Sequence, residues 1–212
     1  MLRETCASSG RIVFIGNTTT LQNLDSVEWF AREVLPRIRA ARPDARLEVV
    51  GYCGPAERER LGALDAVQVV GRVSSIARAV AGAAIGVCPT RLGAGVQNKL
   101  LNYMALGLPS VTTREGLEGI GARPGFEVLV AETPELMAGA ALQLLDDRRR
   151  ARALAEAARA FVEQHHRWPD QLEPLVQRLD GLLNPADAAR DVRELGAQPT
   201  RRAATAARVQ HP

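Results

Sequence analysis

Lysine is almost absent from this 212-residue chain: of 27 basic side chains only Lys99 is a lysine, and the rest are arginine. Cysteine is scarce as well. The three cysteines, Cys6, Cys53 and Cys88, lie far apart and form no CxxC or Cys/His ligand pattern, which argues against a zinc module or a disulfide framework. They read as free, mostly buried thiols of a cytoplasmic protein. No apolar run reaches the roughly 18–20 residues of a membrane span, and the N-terminus lacks the apolar core of a signal peptide. A cytoplasmic location is therefore expected, with peripheral membrane contact left open. Charge of one sign is missing too: the formal net charge is +3, and arginines alternate with Asp and Glu instead of forming a basic stripe. Nucleic-acid binding is not expected.

What is present is the profile of a soluble globular protein, 46% hydrophobic and 24% charged, long enough for one domain and a tail. Short β-branched runs alternate with amphipathic helical patterns. Strands are expected at Arg11–Ile15, Arg46–Val50, Ala66–Val70, Ala83–Cys88, Ser110–Thr113 and Glu127–Ala131, the first three each closed by a glycine. Asp25 can cap a helix running to about Ala40, Pro55 suits the first turn of the next, and Ser74 or Ser75 caps a short one. A helix over Val96–Leu106 follows the fourth strand, and three more follow the sixth, at 134–145, 148–164 and 169–183. This order predicts an α/β, Rossmann-like parallel sheet of six strands with helices on both faces, followed by C-terminal helices. Ligands of such sheets bind at the C-terminal strand ends. Residues 1–10 read as a lead-in, 11–183 as the domain, and 184–212, rich in Ala, Arg, Pro, Gln and Thr, as a disordered, mildly basic tail.

The segment between strand four and its helix carries the chemistry. Gly93 and Gly95 let backbone N–H groups approach a ligand, the helix N-terminus adds partial positive charge, and Arg91 and Lys99 add two full ones. A compact ammonium on a flexible stem suits a phosphate oxygen approached as a point charge. Together these groups make a diphosphate cradle that requires no metal. The same glycines also suit a tight strand-to-helix turn, and Arg91 a solvated surface position.

The order and spacing of several stretches, Phe14–Gly16, Asn23–Pro36, Leu47–Gly51, Val69–Val73, Gly95–Pro109 and Thr112–Gly119, resemble the C-terminal, nucleotide-sugar-binding domain of GT-B glycosyltransferases of the retaining family-four, group 1 type. The resemblance covers residues 11–170 and implies a donor site for a nucleoside diphosphate sugar, with no further cofactor and no metal. It implies that Lys99 and Arg91 stabilise the leaving diphosphate, helped by the amides of Gly95 and Val96. Asn102 would face the ribose, Arg72 and Val73 the nucleobase, and Gly16, Gly93, Gly116, Leu117 and Glu118 would line the donor site.

Two departures accompany the resemblance. The family's pair of glutamates falls here on Ala94 and Asn102. A neutral amide at the ribose costs about tenfold in affinity, because charged hydrogen bonds are worth about 1.5–3 kcal/mol against roughly 1 for neutral ones. The second is length: a GT-B enzyme has two Rossmann-like halves, and this chain opens at the first strand of the second. Its expected partners are thus a nucleoside diphosphate sugar and either a separate N-terminal half, supplying the acceptor site and catalytic histidine, or a second copy. His165 and His166 read as helix-end or surface residues, and Cys53 and Cys88 as core. The alternative is a truncated, noncatalytic nucleotide-sugar-binding or scaffold module. A receiver-type regulatory domain would need an acidic cluster at the strand ends, which the sequence lacks.

Overall fold

The computed structural model describes residues 10–93 and 95–183, so residues 1–9, Ala94 and the expected tail at 184–212 lie outside the described residues. The described chain divides into two compact units between His165 and His166. The first contains β1 (Arg11–Ile15), α1 (Leu21–Trp29), a π-helical turn (Phe30–Val34), α2 (Leu35–Ala41), β2 (Arg46–Val50), α3 (Pro55–Gly62), β3 (Val67–Gly71), α4 (Ile76–Val80) and β4 (Ile85–Cys88). It continues through α5 (Asn98–Ala105), β5 (Ser110–Thr112), α6 (Arg114–Leu117), β6 (Leu129–Val130), α7 (Pro134–Asp146) and α8 (Arg148–His165). The second unit holds α9 (Trp168–Leu183), with Pro174 in its interior. Among the described residues no helix is long and apolar enough to cross a membrane.

All six strands are parallel, in the order β3-β2-β1-β4-β5-β6. The direction of winding reverses between β1 and β4, which creates a crevice at their C-terminal ends. Side chains alternate across the sheet and both faces are buried. Ile12 and Phe14 of β1 pack with Leu47, Ile85, Val111 and the apolar faces of α1, α2 and α7, whereas Val13 and Ile15 pack with Leu100, Tyr103 and Met104 of α5 on the other face. β4 is buried at all four positions, and β3, an edge strand, alternates between half-buried and exposed.

Three differences from the expected elements have clear causes. α1 starts at Leu21, one turn before Asp25, with Thr20 at its N-cap, and the half-buried Leu24 of that first turn already packs against the core. Pro36 lacks the N–H that would continue the ladder, and the helix widens into a π turn just before it. α5 begins at Asn98 instead of Val96, since Gln97 has extended backbone angles and Gly95 a φ of +91°.

Where β1 and β4 separate, Tyr103 takes over from the ladder. Its ring lies flat on Gly86, where a Cβ would sit 2.6 Å from the ring carbon, so only glycine fits. The Ile15 N–H donates to the phenol oxygen at 2.8 Å, and the phenol O–H faces the carbonyls of Val13 and Val87 at 3.2 and 3.3 Å. One side chain thus closes the backbone hydrogen bonds of two diverging strands and fixes α5 over the crevice.

Candidate functional site

The crevice is built from three loops. The first, Gly16–Thr20, follows β1 and is neutral. Its Gly16 N–H donates to Val50 O at 2.9 Å, and Asn17 Oδ1 accepts from the Thr19 N–H at 3.1 Å. The second, 89–97, follows β4. The third follows β5, where Thr113 caps α6 by accepting from the Gly116 N–H at 3.1 Å. The second and third loops are stitched together: Thr112 Oγ1 donates to Cys88 O at 2.9 Å, and Thr113 Oγ1 donates to Thr90 O.

Lys99 lies in the first turn of α5 and is only 9% exposed. Its Nζ donates to Asn23 Oδ1 at 2.6 Å and, weakly, to Gln97 Oε1 at 3.5 Å, and it sits 4.7 Å from the centre of the Phe14 ring. Among the described residues no carboxylate acts on it. Burial strips water from the ammonium and lowers its pKa below the ordinary lysine value, opposed only by the neighbouring Cys88. Burial in turn pushes the Cys88 thiol up. The result is a desolvated cation answered by two amides and an aromatic face, which keeps its charge available to an arriving anion.

Arg91 is engaged differently. Its guanidinium donates to both carboxylate oxygens of Asp25, at 2.6 and 3.2 Å, and lies 5.2 Å from the Trp29 ring centre. Its charge is already answered on the surface of α1. Between the two cations, Gly93 has a φ of +108°, a backbone conformation that strains any side chain, and the exposed Gln22 side chain lies against it. Gly95 is in the loop, as expected; Val96, expected to open the helix, also stays in the loop two residues short of it and is exposed. Asn102 is half-buried on the second turn of α5. Leu117 and Glu118, with Arg114, Glu115, Gly121 and Ala122, line an open cavity of about 540 Å³ beside α6. Arg72 lies over the Tyr52 ring at 4.9 Å from its centre, and Val73 packs on the α5 side of the core.

Lys99, Gly16, Arg91 and Gly93 are therefore gathered around the N-terminal part of α1. Arg72 and Val73 stand at the end of edge strand β3, two strands away from β1. Sequence reasoning missed Asn23 and Gln97, the two groups that hold Lys99, and missed that Asp25 serves Arg91 instead of capping a helix. The only signal for Asn23 was its place in the stretch that opens α1. At the far end of α8, His165 packs its ring 4.9 Å from that of Phe161.

A family model for glycosyl transferases group 1 matches residues 9–147, more than half of the chain. The chain belongs to this family. This group 1 glycosyltransferase chain is similar to a 44.6 kDa protein in the cps region of Klebsiella pneumoniae, 24% identical over 163 residues that cover 73% of the chain and 42% of the relative. Solved GT-B glycosyltransferases share its fold. S. aureus TarM, crystallised with fondaparinux, alpha-GlcNAc-glycerol and UDP, matches 84% of the chain and 36% of its own length at a TM-score of 0.68 and 13% identity. HepE of Anabaena, with UDP and glucose, matches 81% of the chain and 48% of its own length at 0.64 and 14%. The pneumococcal O-GlcNAc transferase GtfA, with UDP and GlcNAc, matches 85% and 37% at 0.66 and 14%. At these identities the likeness is one of fold. The chain spans less than half the length of each of these proteins.

Proposed function

We propose that this chain is the donor-binding half of a retaining hexosyltransferase, acting with an N-terminal half supplied separately. In the reaction the bond from the sugar C1 to the diphosphate oxygen breaks and a bond from C1 to an acceptor hydroxyl oxygen forms. The hydroxyl proton is released, and the nucleoside diphosphate leaves with the bonding electrons. Charge grows on that leaving oxygen, so a fixed cation beside it lowers the barrier. The observation that carries this reading is the buried Lys99 ammonium, held by two side-chain amides and the Phe14 ring at the C-terminal ends of β1 and β4.

Lys99 is the principal contact in this scheme. Arg91 has to leave Asp25 to reach the same anion, so its share is smaller. The backbone of Gly93, Gly95 and Val96 follows the diphosphate, Asn102 meets the ribose, and Gly16 and the 116–118 loop line the donor sugar's side. Arg72 and Val73 stand toward the nucleobase. Leaving-group charge is met by side chains, and turnover is expected to survive chelation of divalent metal. UDP is the first nucleotide to test, since TarM, HepE and GtfA were each solved with it.

One feature favours a second reading. Asn102, a neutral amide, stands where the family pattern has a ribose-binding glutamate, as suits a noncatalytic nucleotide-sugar-binding module. Calorimetric titration with UDP, GDP and their sugars tests both. Saturable binding is expected, and Lys99→Ala should weaken it about ten- to a hundredfold, the worth of a charge-assisted hydrogen bond. Unchanged affinity in that variant overturns the assignment of Lys99. Binding without turnover when an N-terminal half is supplied favours the module.

A further inference from the structure

Asn23 is the residue that decides whether Lys99 is available. It lies in the first turn of α1 and is 8% exposed. Its orientation is fixed from the other side: Nδ2 donates to Asn17 O at 2.9 Å, which points Oδ1 at Lys99 Nζ, 2.6 Å away. An aspartate here would place a carboxylate against the ammonium with almost no change of shape. Lys99 would then be half of a closed, buried ion pair. Among the described residues, the other groups around it carry no negative charge to compete. Phe14 of β1 offers a ring face, Gln97 an amide, and Cys88 of β4 a thiol whose burial opposes ionisation. Asp25, two residues further along α1, is the nearest carboxylate in sequence, and Arg91 occupies both of its oxygens.

We infer that Asn23 is a positioning residue that orients Lys99 while leaving its charge unanswered, and that Arg91, by holding Asp25, keeps the one carboxylate on that turn of α1 occupied elsewhere. The anion this arrangement is built to admit is a diphosphate. The inference rests on the donor-site reading above for the identity of the full ligand, but the Asn23 to Lys99 relationship can be read without any nucleotide. Because Lys99 is the single lysine of the chain, a protein labelled at lysine gives one side-chain resonance that reports on this site alone.

The experiment follows that resonance through a pH titration in the full-length protein and in Asn23→Asp, with inorganic pyrophosphate and UDP titrated separately into each. In Asn23→Asp the lysine titration should move to higher pH than in the unmodified chain, and affinity for both ligands should fall at least about tenfold. Thermal unfolding is recorded in parallel. A lysine titration that stays where it was, or an Asn23→Asp protein that binds pyrophosphate as tightly as the original, overturns the inference. Should Asn23→Asp not fold, Asn23→Ala replaces it. Removing the acceptor should shift the Lys99 resonance and weaken pyrophosphate binding, and an unshifted resonance with unchanged binding overturns the inference. Pyrophosphate that moves the Lys99 resonance while neither UDP nor GDP binds removes the nucleotide-sugar reading and leaves this inference standing. A resonance indifferent to every anion removes both.

Discussion

The two ends of the parallel sheet treat buried charge in opposite ways. At the N-terminal ends, Arg11 on β1 makes a two-pronged pair with Glu48 on β2, at 2.9 and 2.7 Å, and also donates to the carbonyls of Ala79 and Ala81. Arg46 reaches the same carboxylate at 3.3 Å. Nearby, Arg42 ties Asp44 to Asp146 at the end of α7. At the C-terminal ends, Lys99 is about as hidden as Glu48 and meets no carboxylate among the described residues. A closed pair fixes geometry, and breaking it strands a charge. An open cation holds little together and is useful only if something arrives to answer it. The same sheet therefore separates a fastening end from a binding end.

The largest expected effect is on the fastening end. Burial alone would raise the Glu48 carboxyl, but the Arg11 hydrogen bonds and the charges of Arg11 and Arg46 hold it below its ordinary value. Arg11→Ala should cost about 3 kcal/mol in urea unfolding, the lower end of the penalty for stranding a buried carboxylate, because Arg46 still reaches it. UDP affinity should not change. A carboxyl depressed in the folded state contributes stability that is complete above its unfolded value and is lost as pH falls through the folded one. The unmodified chain should thus weaken on acidification across that window, and Arg11→Ala should show a smaller slope there. An equal slope would mean that Glu48 is not the carboxyl that fastens this end.

Much of the fastening was legible in the sequence, and little of the opening. β1 and β2 were read to the residue because an apolar run closed by glycine has few alternatives, and the order of elements led directly to a parallel sheet. Lys99 stood out by composition, and Gly93 and Gly95 by their place before a helix. Their neighbours did not. Asn23 and Asp25 look like ordinary residues near a helix start, and that one faces Lys99 and the other Arg91 depends on the winding that brings the first turns of α1 and α5 together at the C-terminal ends of β1 and β4, a separation of 76 residues for the first pair. Tyr103 was hidden for the same reason, since its position reads as one more apolar residue of an amphipathic helix. Side chains that join distant segments leave no periodic trace.

Tyr103 links the two ends, and removing its hydroxyl tests how far they depend on each other. Tyr103→Phe keeps the ring on Gly86 but leaves the Ile15 N–H without its acceptor, with a cost of about 1–2 kcal/mol for an unpaired buried donor. If α5 is held over the crevice through this bond, the Lys99 resonance should also shift and UDP affinity should fall by a few fold. Loss of stability with no change at Lys99 would make Tyr103 a fastening residue alone.

The smallest effect on stability, and the sharpest contrast with Arg11, is expected at Lys99 itself. Lys99→Met replaces a desolvated ammonium by an apolar chain of similar length, trading a lost hydrogen bond to Asn23 against relief of the cost of burying an unanswered charge. The two should cancel to within about 1 kcal/mol, while UDP affinity should fall about ten- to a hundredfold. The pH dependence has a matching sign. A lysine whose folded pKa is lowered binds its proton less well folded than unfolded, so stability rises as pH climbs through the folded value toward the unfolded one. That alkaline gain should be present in the unmodified chain and absent in Lys99→Met. A Met variant as destabilised as Arg11→Ala would show that Lys99 fastens the fold as Arg11 does, and the distinction between the two ends of the sheet would disappear.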